Sequence, residues 1–585
     1  MRRIQSDLPL RGRFSAFSLC GFLSLSALAT TAAQAADPVT DVGAAARQAE
    51  RIQNDLRDQV QRQRDQDLRS SEPPTHFEVQ APQRKERPAG PCRPITEIDI
   101  TGVTLLSSDV VEEIEQQWAG KCVGVAQIEQ ILGALTVAYM DKGYVAARAY
   151  LPAQDLTSGK LTIGVAEGQV EKIEVNDGGK DSIPLGNVAP GVVGEPLNLR
   201  NLEQALDQIN RLASNDATMQ IAPGTTPGDS VVVFSNTPSR RAHASLTYDN
   251  YGQEATGKNQ MGVNVSLDNP LGFNDFISFT HRRSMPYDTG RHSAYMDNIS
   301  YVIPFGYSTL SFNVSDSEYA SILDAPSGAE LQTNGNSKNY SIQLDHVLWR
   351  GQQSQWSLSG ALTKKKTENY LEGILLNVSS RSLTVFDLDT SFTTRVLGGA
   401  LTLTGGVARG LTWFNALDDA SDLPSWAPRA QFTKLKYGAN FYRPFEVAGH
   451  NLAYTARFSG QHAYDVLYGS EQFSIGSPYT VRGFSEDSLN GDQGQYLRND
   501  LSLSEPVMLP GGYIAMLRPY VALDWGKVWN RVGDVPEGEL SSASVGMGLY
   551  LGPLTLDVFV AHPLDKPGFM EKQGDSTFFN LGLAF

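Results

Sequence analysis

The chain has 585 residues, enough for two or three domains. Its net charge of -16 has the wrong sign for a nucleic-acid binder, so no nucleic-acid partner is expected. After the first 35 residues no stretch holds 18 consecutive apolar residues, which excludes a transmembrane helix but not a membrane β-barrel, whose strands alternate apolar and polar residues.

Residues 1–35 read as a secretory leader. Arg2, Arg3, Arg11 and Arg13 precede an apolar run from Phe14 to Ala29, and Ala33-Gln34-Ala35 supplies small residues for cleavage after Ala35. Cys20 goes with the leader. The leader removes positive charge, so the mature chain carries a net charge near -19. Ala44–Leu68 reads as a helix without Gly or Pro. Its apolar stripe is only Ile52, Leu56 and Val60, too thin for a dry core, which leaves a solvated helix, a coiled-coil segment or a plug in a water-filled lumen. Six prolines between Ser70 and Pro94 then mark an extended linker.

Residues 92–238 read as two small α/β modules. The first holds strands at Ile95–Ile100, Val145–Leu151 and Lys160–Val165. Its helices are Asp109–Trp118 and Gln127–Met140, the latter with Ile128, Leu132, Leu135 and Tyr139 at helical spacing. The second holds strands at Val170–Val175, Met219–Ala222 and Ser230–Phe234. Its helix spans Leu199–Ala213, capped by Asn198 and burying Leu202, Leu206 and Ile209. Cys92 and Cys122 are the two cysteines of the mature chain, and in an exported protein they are expected to form one disulfide. Closing that loop should stabilise the first module by roughly 3–4 kcal/mol.

From residue 239 onward the pattern changes to short alternating segments divided by Gly, Pro, Asn, Asp and Ser. Leu310, Phe312 and Val314 alternate with Ser311 and Asn313, and Leu554, Leu556, Val558 and Val560 alternate with Thr555, Asp557 and Phe559. One face suits lipid and the other water. Strand starts near 244, 257, 274, 292, 307, 337, 352, 381, 398, 431, 450, 492, 511, 540, 554 and 576 predict sixteen strands, an even number that suits a single-chain barrel. In the last strand Phe579, Leu581, Leu583 and Phe585 share one face.

Several motifs then resemble one family, the outer-membrane transporters of two-partner secretion (TpsB type) within the Omp85 superfamily. Gly143–Val170 resembles the junction of two POTRA modules, and Ala222-Pro223-Gly224 with Gly228-Asp229-Ser230 resembles the end of the second. Val481-Arg482-Gly483-Phe484 is similar to the motif at the tip of the family's inward-folded loop L6, and Gly491-Asp492-Gln493-Gly494 and Arg498-Asn499-Asp500 continue the pattern. Asp524 and Gly526 match the last two positions of the family's F-x-D-x-G motif, with Ala522 where the family has Phe. The resemblance implies a signal peptide (1–35), a plug helix (36–69), a linker (70–91), POTRA modules at 92–167 and 168–238, and a 16-stranded barrel (239–585) with L6 at about 469–492. It implies that Arg482 pairs with Asp524, on the face of its strand shared with Arg518, Tyr520 and Ala522. In a wet lumen such a pair would be screened and worth about 1 kcal/mol. It implies a secreted TpsA-type exoprotein as partner: an adhesin, a haemolysin or a contact-dependent toxin. Outer-membrane lipid is a second partner, and the barrel-assembly machinery, recognising the strand of Phe579, Leu581, Leu583 and Phe585, a third. The transporter itself would be a monomer.

Catalysis is not expected. The eight histidines, His76, His243, His281, His292, His346, His450, His462 and His562, are scattered, and there is no G-x-S-x-G or phosphate-binding glycine loop, so no metal or cofactor is assigned. A barrel-assembly insertase of the same superfamily would usually carry more POTRA modules than these 140-odd residues hold, and a passive porin needs neither modules nor a plug.

Overall fold

The computed structural model describes residues 91–585 apart from 227, 289–290, 325–327, 485–486 and 534. The expected leader, the polar helix at 44–68 and nearly all of the linker lie outside the described residues.

The first module packs helices Ser108–Trp118 and Val125–Asp141 against a three-stranded sheet of Glu97–Thr101, Lys160–Ala166 and Arg148–Tyr150. Ile128, Ile131, Leu135 and Tyr139 bury one helix face over Ile98, Leu161 and Ile163, so Ile131 rather than Leu132 takes the fully buried place. The strand expected at Ile95–Ile100 is split at Thr96. Cys92–Ile95 pairs instead with Lys121–Gly124, a strand the pattern did not reveal, and Glu97 onward pairs with Lys160 onward. The strand expected at Val145–Leu151 shrinks to Arg148–Tyr150, because turn bonds from Val145 and Ala147 to Gly143 and Tyr144 occupy its start. Register sets Pro94 opposite Cys122, and Cys92 is bonded to Cys122 with 5.4 Å between their Cα atoms. Glu167 closes the module. Its carboxylate accepts from Tyr139 Oη (2.7 Å) and from the backbone N–H groups of Thr104 (2.6 Å) and Leu105 (2.9 Å).

The second module sets helix Leu199–Asn210 on a sheet ordered Val170–Asn176, Ser230–Ser235, Thr218–Pro223. Asn198 caps the helix, accepting from Arg200 N at 2.9 Å. Both helix faces are buried, for different reasons. Leu199, Leu202, Ala205, Leu206 and Ile209 face the module's core, whereas Arg200, Glu203, Gln204 and Gln208 are covered by the barrel rim.

The remaining chain is a closed antiparallel barrel of sixteen strands. In order they are Ala242–Asp249, Gln260–Asp268, Phe276–Ser284, Ser293–Phe305, Ser308–Asp324, Glu330–Arg350, Ser354–Leu371, Arg381–Val396, Gly399–Leu411, Thr433–Val447, His450–Ala463, Gln493–Met508, Ile514–Trp529, Gly538–Leu551, Leu554–Asp565 and Ser576–Ala584, numbered 1 to 16 below. The core is inverted relative to a soluble protein. Phe279, Ile299, Phe312, Val314, Ile342 and Leu523 are exposed on the outer wall, while Ser278, Thr280, Asn298, Ser311, Asn313 and Asp524 are buried inside. Strand 16 closes on strand 1, with Leu583 opposite Leu246 and Leu581 opposite Tyr248, and Phe585 N donates to the Ala244 carbonyl at 2.8 Å. Phe579 lies against Tyr248, ring centroids 5.6 Å apart, so the C-terminal face carries part of the outer seam.

The second module fixes the barrel's orientation. It touches the turns that follow even-numbered strands. Ser214 N donates to Asp268 (2.8 Å), Gln208 Nε2 to the Gly306 carbonyl (2.9 Å) and Tyr307 Oη to Asn201 (2.7 Å). Arg350, at the end of strand 6, reaches Glu203 (3.4 Å), Gln204 (3.1 Å) and Asp207 (2.7 Å) with its side chain 1% exposed. Loops after odd-numbered strands therefore lie at the far end, and the long loop after strand 11 enters the lumen from there.

Candidate functional site in the barrel lumen

That loop, residues 464–492, is built to lie inside a barrel. After a short 3-10 turn at Gly469–Glu471, Phe473–Ile475 pairs with Leu489–Gly491 to form a hairpin, whose tip holds the Val481–Phe484 motif. Asp492 ties the root, accepting from Leu467 N (2.8 Å) and Arg531 N (3.0 Å). Gln461 Nε2 donates to the carbonyls of Glu471 (3.0 Å) and Asp492 (3.1 Å), joining both legs to strand 11.

At the tip, charge and apolar packing act together. Val481 and Phe484 are buried with Ile475, Leu489, Val528, Leu540 and Met570 in a small apolar cluster against the wall. Gly483, between Arg482 and Phe484, adopts φ +92°, a left-handed conformation that side chains disfavour. Arg482 turns the other way. Its Nε donates to Asp524 Oδ2 at 2.6 Å, Nη2 to Asp524 Oδ1 at 2.7 Å and Nη1 to Asp500 Oδ1 at 2.7 Å. Its backbone N also donates to Asp524, at 3.2 Å. This is a bidentate guanidinium–carboxylate pair with a second carboxylate alongside, a geometry that lysine could not reproduce. Arg498 completes the cluster, with Nε 3.9 Å from Asp524 and Nη1 donating to the Pro478 carbonyl at 3.2 Å.

Strand 13 presents Asp524 inward and exposes Val521 and Leu523 outward, as its alternation predicts. The expectation of a screened pair is overturned. The side chains of Arg482 and Asp524 are 3% and 0% exposed, because the loop tip covers the pair and the ring of Phe559 lies 6.0 Å from the guanidinium carbon. Deleting one partner of a buried pair costs about 3–5 kcal/mol, and here the upper limit is softened because Asp500 stays beside Arg482 and Arg498 beside Asp524. Gly526 faces the apolar side of the loop. A Cβ there would lie 2.9 Å from Val481 Cγ2 and 3.2 Å from Ile475 Cγ2, so glycine lets the hairpin lie flat on the wall. Ala522 is buried, and the aromatic beside the guanidinium is Phe559 of strand 15, which stacks on Phe578 at 4.9 Å.

Below the loop lies a cavity of about 620 Å³ whose lining includes Lys365, Asp387, Asp389, Lys436 and Arg457. Lys436 bridges Asp387 (2.7 Å) and Asp389 (2.9 Å). The rest of the cavity's lining includes hydroxyl and amide side chains such as Asn339, Ser341, Thr363 and Thr404. Sequence reasoning quoted Asp500 and Phe559 but gave neither a role, and it missed Glu471 and Lys434. Alternation in strand 12 placed Asp500 on the Arg498 face, so that signal was present. Nothing local marks Phe559, an aromatic on an otherwise polar face.

Among the described residues no group of His, Cys, Asp and Glu is arranged to hold a metal ion. The profile of the family described as "Haemolysin secretion/activation protein ShlB/FhaC/HecB" matches residues 228–549, and ShlB-type and general POTRA profiles match 93–168 and 169–223. The chain is 33% identical over 537 residues to the outer membrane transporter CdiB of Escherichia coli, covering 91% of this chain and 89% of that one. It is 32% identical to the hemolysin transporter protein ShlB of Serratia marcescens, covering 79% and 80%. The solved structure of CdiB from Escherichia coli superposes with a TM-score of 0.82 at 32% identity, over 94% of this chain and 100% of that one. With two POTRA modules, a sixteen-stranded outer-membrane barrel and an inward loop locked to its wall, the chain belongs to the haemolysin secretion/activation family of two-partner secretion transporters.

Proposed function

We propose that this transporter takes one large, unfolded TpsA-type exoprotein, an adhesin, haemolysin or contact-dependent toxin, from the periplasm and threads it through the barrel lumen to the cell surface. It acts as a monomer and as a transporter rather than an enzyme. The observation that carries this reading is the pairing of a POTRA module fixed on the near rim with a single loop held across the lumen by Arg482, Asp500 and Asp524. The rim receives a chain, the loop occupies its path, and the matched charges of the wall let it slide. The periplasm holds no ATP, so folding of the cargo outside supplies the drive. Residues 44–68 act as a removable plug, and the outward face of Phe579, Leu581, Leu583 and Phe585 is what the barrel-assembly machinery reads.

The test co-expresses the chain with a large β-helical exoprotein of the TpsA type, sought in the neighbouring reading frame, and follows cargo in the medium. Export that depends on this chain supports the reading. Cargo retained in the periplasm, with barrel proteins failing to assemble when the chain is absent, would point to an insertase instead. Deleting residues 44–68 should raise conductance in planar bilayers and leave export largely intact. Unchanged conductance would make that segment a plain solvated helix.

A further inference from the structure

The tip of L6 is held on strands 12 and 13 by a loop cation on wall anions. The root shows the reverse polarity. Glu471, in the 3-10 turn where the loop begins its descent, is 2% exposed. Its Oε1 accepts from Lys365 Nζ of strand 7 at 2.6 Å and its Oε2 from Lys434 Nζ of strand 10 at 3.0 Å. Lys434 Nζ also donates to the Glu471 carbonyl at 2.8 Å, fixing backbone as well as side chain.

A carboxylate this deeply buried would be costly without matched charge, and here it has two ammonium groups. The lysines come from strands separated by two others, so the contact does more than tidy one hairpin. It gathers strands 7, 10 and 11 at the loop's root, while the tip gathers strands 12, 13 and 15. Opposite polarity has a further consequence. The tip cannot re-pair at the root's site, because Arg482 would meet Lys434 and Lys365, and Glu471 would meet Asp500 and Asp524.

We propose that Glu471 is a second positioning residue for secretion. With Lys434 and Lys365 it latches the root of L6 to the strand 7–11 sector, so the loop is a crossbar held at both ends, and its polarity keys each end to one wall. This rests on the reading of L6 as the element that sets the channel's path.

The experiment uses the full chain in lipid bilayers, with a nitroxide on Ser474→Cys; Cys92 and Cys122 are bonded to each other and do not label. The parent should give an immobilised spectrum. Glu471→Gln should add a mobile component and raise single-channel conductance, with Lys434→Gln next and Lys365→Gln least, since Lys365 is the more exposed partner (22% against 10%). Each variant is first shown to assemble by heat-modifiable migration, and Lys365→Gln keeps the test alive if Glu471→Gln does not assemble. Arg482→Ala is run in parallel. If Arg482→Ala loosens the label and lowers secretion while all three root variants match the parent, the crossbar proposal is overturned and the reading of L6 stands. If Arg482→Ala also changes nothing, that reading falls too.

Discussion

Two buried arginines hold this molecule together at different levels, and their chemistry is nearly the same. Arg350 locks the second POTRA module to the barrel through Glu203, Gln204 and Asp207. Arg482 locks L6 to the wall through Asp524 and Asp500. Each guanidinium is almost fully covered and meets two carboxylates. What differs is the surroundings. Arg350 sits in a joint reinforced along its length by Gln204, Gln208, Asn201, Arg211 and Ser214, a surface with several independent bonds. Arg482 sits on a hairpin tip whose other support is a small apolar cluster. The first arrangement suits a joint that stays closed. The second suits a latch, strong while intact and dependent on a few contacts.

The comparison breaks if the two sites respond alike. The largest expected effect on architecture comes from Arg350→Ala, which removes the barrel's bonds to Glu203, Gln204 and Asp207, although Glu203 keeps Arg200 at 2.6 Å, and should cost about 3–5 kcal/mol at the joint. Hydrogen exchange across 199–210 should rise sharply while L6 stays protected. Equal loosening of L6 would show that the sites are coupled and that the division into joint and latch is wrong. Next in size is the disulfide. Cys92→Ser with Cys122→Ser should lower the stability of the first module by roughly 3–4 kcal/mol, seen as faster exchange over 95–167 with no change at the joint.

Gly526→Val sharpens the latch side. It drives a side chain into Val481 and Ile475, with an expected cost of about 1–3 kcal/mol from overpacking. Secretion should fall while the joint remains protected, and a fully secreting variant would remove the close approach from the account. The smallest effect is a pH dependence at the module junction. Burial alone would raise the Glu167 carboxyl, but hydrogen bonds from Thr104, Tyr139 and Leu105 outweigh it and hold it below the ordinary range. A depressed carboxylate contributes stability above its unfolded pKa, near 4.3, and loses it as pH falls through the folded value. Exchange over 95–167 should therefore increase below about pH 4, and Glu167→Gln should flatten that rise.

Much of this was legible from residues alone, for identifiable reasons. Alternation is rigid in a barrel, because each slip of one residue would turn a polar face to lipid. The predicted strand starts consequently fall within a few residues of those observed, and the widest miss, strand 6 near 337 against Glu330, is an extension of the strand. Register between distant elements was not legible. The split at Thr96 follows from pairing with Lys121–Gly124, and Arg350 reads as a turn residue until the second module is set against it. Burial of Arg482 was missed because the lumen was treated as uniformly wet. The loop tip builds a small apolar cluster with the wall through Val481 and Phe484, quoted only as motif letters, and Phe559 lies beside the guanidinium, so the pair is covered. Lys434 and Lys436 alternate with Leu435 and Tyr437, a pattern of inward cations that went unread, and nothing in it says that one of them meets Glu471.

The central claim is that Arg482, Asp524 and Asp500 act as one unit to place L6 for secretion. Secreted cargo, measured at matched abundance of heat-modifiable barrel, is the direct test for Arg482→Ala, Asp524→Ala and the double variant. The account predicts that each single change lowers secretion substantially and that the double is little worse than either, as expected for residues in one contact. Full secretion by Arg482→Ala, or losses that add strictly in the double variant, would contradict it.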